Sequence, residues 1–152
     1  MRIFSNAAIR GAVLATLIYA STAIARDHTA LNGTWTLVPA RSDFAGQSVI
    51  QTGTVTIDER QGNITVSRNF VYTGAAETFF YRDMTDSENN ATIHSGKDLK
   101  SKTRWDRGVL KVTTTQPGLT TIESYRLAAD GTMIADVESP GRAPTTLIFE
   151  RR

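Results

Sequence analysis

The 152-residue sequence contains no cysteine, so no disulfide can stabilise the fold and no thiolate can hold a metal. Histidine is nearly as scarce. His28 lies close to the start of the expected mature chain and His94 on the opposite face of a short strand from Ile93, and both are expected at ordinary surface positions. Any metal site would need His plus carboxylate or an oxygen cage, and the one acidic loop, Asp83–Asn90, has a spacing that fits no EF-hand and reads as a solvated hairpin loop. There is no Gly-x-Ser-x-Gly elbow, no phosphate loop and no Gly-x-Gly-x-x-Gly fingerprint. No catalytic residue, metal or cofactor is therefore expected, and the chain is not read as an enzyme. Three Asn-x-Thr triplets, at Asn32, Asn63 and Asn90, are chance matches in a Thr-rich chain.

Residues 1–25 have the three parts of a secretory signal: basic Arg2 and Arg10, an apolar run from Gly11 to Ala20, and Ala23-Ile24-Ala25 as a small-x-small cleavage site. The run is about half of the roughly 20 apolar residues that a spanning helix needs. Without cysteine there is no lipoprotein acylation site, and the arginines are not adjacent, so no twin-arginine signal is present. Export to the periplasm or the exterior of a bacterial cell is expected, with residues 26–152 as one domain and no integral membrane segment after cleavage. The leader holds two basic residues and no acidic one, which leaves 15 basic against 15 acidic residues. A neutral mature chain does not point to nucleic acid or an anionic surface. A monomer is expected.

Along residues 26–152 the apolar residues recur with period two, in Thr- and Val-rich runs separated by Gly, Asp, Asn and Pro. The runs predict strands at 33–38, 49–58, 64–72, 77–82, 91–95, 99–105, 109–115, 120–127, 133–138 and 145–151. Pro39–Ala45 is the one place for a short helical turn. An open sheet of this size would expose two edges, and closing it removes them. The expected fold is all-β, a single antiparallel up-and-down barrel of eight to ten strands.

Alternation assigns the inward face to Trp35 and Leu37, Val49, Val55 and Ile57, Ile64, Val66, Phe70 and Tyr72, Leu99 and Trp105, Leu110 and Val112, Tyr125 and Leu127, Met133, Ala135 and Val137, and Leu147 and Phe149. The row Lys100-x-Lys102-x-Arg104 then points outward as a solvated face. Phe79-Phe80-Tyr81 is apolar on both sides. Two charges fall on the inner face: Arg68 sits between Val66 and Phe70, and Glu123 precedes Tyr125 by two. A buried charge needs a partner. Either Arg68 and Glu123 pair or reach water at the mouth, or Arg68, Tyr72, Glu123 and Tyr125 line a cavity whose polar groups orient a small amphipathic ligand.

Gly33-Thr34-Trp35 on the first strand, with Phe149-Glu150-Arg151 on the last, resembles the lipocalin-like (calycin) pattern. That resemblance implies that Trp35 packs at the closed end of the barrel beneath Arg151, with Gly33 beside it. A guanidinium on an indole contributes on the order of 0.5–2 kcal/mol. Leu31–Leu37, Pro39–Phe44, Ser101–Asp106, Glu123–Leu127 with Asp130-Gly131, and Phe149-x-Arg151 follow in an order similar to that of small exported bacterial lipocalin-like proteins. This resemblance implies a fold and export rather than an activity. The expected function is binding of a small hydrophobic or amphipathic ligand. The alternatives are a protein-interaction module, such as a barrel protease inhibitor using Arg26–Ala30 as an arm, and a structural envelope protein.

Overall fold

The computed structural model describes residues 28–61, 63–73, 75–84, 90–94 and 97–152, and from 75 to 99 the backbone alone. Among the described residues the alternating runs form ten strands: β1 (Gly33–Leu37), β2 (Ile50–Arg60), β3 (Asn63–Tyr72), β4 (Ala75–Met84), β5 (Asn90–His94), β6 (Lys97–Asp106), β7 (Val109–Gln116), β8 (Leu119–Leu127), β9 (Met133–Glu138) and β10 (Thr145–Arg151). Every pairing is antiparallel and between chain neighbours, and β1 pairs with β10 to close the ring. No edge is left among the described strands.

The turns follow from their residues. Arg107 and Gly108 both have positive φ, 50° and 88°, which suits the type I′ geometry that matches strand twist in a two-residue hairpin. Pro39–Arg41 forms a short 3-10 turn after β1. The chain then keeps following β10, with Asp43 bridging Thr146, before it enters β2. No described helix is long and apolar enough to cross a membrane.

The turns β2–β3, β6–β7 and β8–β9 lie at one end of the barrel, here the base. The β1–β2, β7–β8 and β9–β10 connections lie at the other, the mouth. Inward residues of the described strands form one core that includes Trp35, Val55, Ile57, Ile64, Val66, Phe70, Leu110, Val112, Tyr125 and Phe149, all nearly inaccessible. At roughly 25 cal/mol per Å² of apolar surface, this burial is the main stabilising term for a chain without disulfides. Lys100, Lys102 and Arg104 are exposed on the outer face of β6.

Two inward assignments are corrected. Val49 is 51% exposed, whereas Ile50 is 5% exposed and buried. The β2–β3 register shifts between Ile50 and Thr52, so one extra residue inverts the alternation at the start of β2. Leu127 is 43% exposed because it is the last residue of β8, at the base rim. The side chains of Phe79–Tyr81, His94 and Leu99, residues 85–89 and the leader lie outside the described residues.

Candidate functional site

At the base, Trp35 is fully buried and its indole Nε1 donates to the Leu31 carbonyl at 2.8 Å. The Arg151 guanidinium lies 4.3 Å from the centre of the indole ring. Its Nη1 donates to the Asn32 carbonyl at 2.6 Å and its Nη2 to the Ala30 carbonyl at 2.8 Å. Gly33 is what permits this approach. Its φ is +131°, and a Cβ there would meet Arg151 Nη1 at 2.8 Å.

The 3-10 turn His28–Leu31 crosses the base between β2 and β8. His28 stacks on Trp105 with ring centroids 4.2 Å apart and sits 3.7 Å from the Glu59 carboxylate. Asn32 exchanges two hydrogen bonds with the Glu59 backbone, its Nδ2 donating to the Glu59 carbonyl at 3.1 Å and its Oδ1 accepting from the Glu59 amide at 2.9 Å. This amide works as a substitute strand residue. Single-sequence reading gave Asn32 no role and His28 only a surface position; the signal for both is their closeness to the Gly-x-Trp strand. Residues His28–Ala30, part of the proposed inhibitory arm, are docked against the barrel.

Arg68 on β3 and Glu123 on β8 form an ion pair, and their side chains are 9% and 2% exposed. In the ring order β3 and β8 are five strands apart in either direction, so the pair spans the lumen as a crossbar. The Tyr125 hydroxyl donates to Glu123 Oε2 at 3.3 Å, and the Arg68 guanidinium lies 4.9 Å from the Phe70 ring centre. Three of the four candidate ligand residues, Arg68, Glu123 and Tyr125, are thus brought into the barrel interior. Tyr72 is half-buried nearer the mouth and packs on the core.

The register shows a polar layer that the sequence reading passed over. Ser101 pairs with Thr114 and Thr114 with Thr121, while the Thr121 and Ser139 hydroxyls lie 3.1 Å apart. These four residues share the inner alternation of Thr103, Val112, Glu123 and Val137, one step closer to the mouth. Across the lumen stand Ile50, Phe70 and Tyr72 of β2 and β3. The mouth side of the crossbar therefore has an apolar wall and a hydroxyl wall. The signal was present on β6, because Leu99 and Trp105 inward place Ser101 and Thr103 inward as well. A separate concavity of about 340 Å³ lies beside the β9–β10 turn, where Ile122, Glu138, Pro140 and Arg142 form part of its lining. Ile122 and Glu138 alternate with the inward Glu123 and Val137, whereas Ser139 of the hydroxyl row lines it as well, so it lies over the mouth rim rather than in the lumen.

No family model and no curated protein sequence matches this chain. Solved structures do. A structure titled REP1-NXSQ fatty acid transporter superposes with a TM-score of 0.61 at 18% identity, over 80% of this chain and 96% of its own. The fatty acid binding protein of Schistosoma mansoni in complex with arachidonic acid gives 0.59 at 17%, over 82% and 98%. An abundant heat soluble (SAHS) protein from Ramazzottius varieornatus gives 0.61 at 13%, over 81% and 96%. The chain shares the antiparallel barrel fold of these structures.

Proposed function

We propose that the mature chain, residues 26–152, is an exported monomeric barrel, periplasmic or secreted, that binds a small hydrophobic or amphipathic ligand and does no chemistry on it. The observation that carries this reading is the ion pair between Arg68 and Glu123 inside an apolar lumen. Desolvating two charges costs several kcal/mol each, and their mutual attraction only partly offsets it, so apolar residues of similar volume serve stability as well or better. A purely structural barrel has no need of it. A site that must orient a polar group against an apolar wall does.

Structural likeness to proteins titled as fatty acid transporters and fatty acid binding proteins supports the same reading. In this account Arg68, Tyr72, Glu123 and Tyr125 line the site, and Gly33, Trp35 and Arg151 close the other end. The test is titration of the purified mature protein with fluorescent fatty acids and hydrophobic dyes. Saturable binding that weakens on Arg68→Ala and on Tyr72→Ala supports the reading; no saturable binding overturns it. An inhibitory arm is disfavoured by the docking of His28–Leu31 across the base.

A further inference from the structure

We infer that the ligand is an uncharged amphiphile, an apolar body with a hydroxyl or carbonyl head, and that its head is held by the hydroxyl row Ser101-Thr114-Thr121-Ser139 on the mouth side of the crossbar. The inference rests on the ligand-binding reading above. Two features select the head group. The first is charge: Arg68 and Glu123 are the buried charged side chains of the described wall, and they neutralise one another. A carboxylate seeking Arg68 would have to displace Glu123 and leave that anion buried beside a second one, a like-charge contact in a low-dielectric setting. Tyr125 donates to Glu123, which further commits the polar cluster to an internal anion.

The second feature is Thr114. Its hydroxyl is buried within the row, the residue being 7% exposed, and it has no hydrogen-bond partner. Thr114 shares the inward alternation of Leu110 and Val112, so the unsatisfied hydroxyl belongs to the inner face. A buried hydroxyl without a partner costs on the order of what a ligand atom would restore on bonding to it. A hydroxyl both donates and accepts, which matches an alcohol or carbonyl head without requiring a counter-charge. The facing wall of Ile50, Phe70 and Tyr72 takes the apolar body.

The test compares 1-dodecanol with dodecanoate, equal in chain length and different in head, as competitors for a bound hydrophobic dye at neutral pH. The alcohol is expected to bind at least tenfold more tightly. Thr114→Val, nearly isosteric, should weaken the alcohol about fivefold and leave dodecanoate within twofold. Glu123→Gln should reverse the preference by leaving the Arg68 charge uncompensated. Dodecanoate binding as tightly as the alcohol in the unmodified protein, or Thr114→Val with no effect on the alcohol, overturns the head-group assignment and leaves ligand binding intact. Failure of both compounds and the dye to bind overturns the ligand-binding reading itself. If Glu123→Gln does not fold, the unmodified protein and Thr114→Val still decide the question.

Discussion

Arg68 and Glu123 meet inside the barrel from strands at opposite points of the ten-strand ring. They tie β3 to β8 and divide the lumen into a packed base and a mouth side with one apolar and one hydroxyl wall.

Removing one partner leaves the other charge buried, which costs about 3–5 kcal/mol. Arg68→Met and Glu123→Leu are expected to lower the denaturation midpoint sharply, each alone. Arg68→Met with Glu123→Leu together should recover most of that loss. Chemical denaturation of the four proteins forms a double-mutant cycle, and additive losses would show that the residues act independently.

At the base, Trp35→Ala should cost about 3–5 kcal/mol, the range for emptying a large aromatic site. Arg151→Ala removes the cation from the indole face and two carbonyl contacts, a smaller loss of on the order of 0.5–2 kcal/mol. Thermal melts measure both. Ligand affinity should not change in Arg151→Ala. Loss of binding in Trp35→Ala without a change in melting temperature would place the ligand at the base instead.

Gly53 is needed for space rather than for backbone freedom. A Cβ at this position would stand 2.7 Å from the Phe70 ring and 3.3 Å from Leu37 Cβ. Gly53→Ala is expected to cost about 1–3 kcal/mol through overpacking. Phe70→Leu in the same chain should relieve part of that cost, as read by the melting temperature of the double variant.

Much of the barrel was legible because most of the strands alternate, so the ten runs fell within one or two residues of the observed elements. Val49 was misplaced because a register shift leaves no trace in composition. Arg68 and Glu123 stood out as charges among apolar neighbours on their strands. The hydroxyl row did not, because Ser and Thr are ordinary on either face of a β-strand and only the register lines up Ser101, Thr114 and Thr121. Asn32 was opaque for a different reason: its two bonds go to Glu59, far along the chain.

Asp130, in the β8–β9 turn, accepts hydrogen bonds from the Thr132 hydroxyl and amide and faces the Arg41 guanidinium, which together hold its carboxyl down to about 2. Because the folded value lies below the unfolded one, the ionised form favours the folded state. That contribution is complete above the ordinary carboxylate range and is lost as pH falls towards 2. Carboxyl NMR titration should show Asp130 ionised well below pH 3. Asp130→Asn should flatten the acid limb of the stability profile.

Small-molecule mass spectrometry of the mature protein, purified without detergent and then denatured, tests the central claim most directly. The account predicts one uncharged amphiphile released in near-stoichiometric amount, and its depletion in Thr114→Val purified alongside. Release of a fatty acid instead would overturn the uncharged head group alone, and an empty barrel that also fails to bind added dye would contradict ligand binding itself.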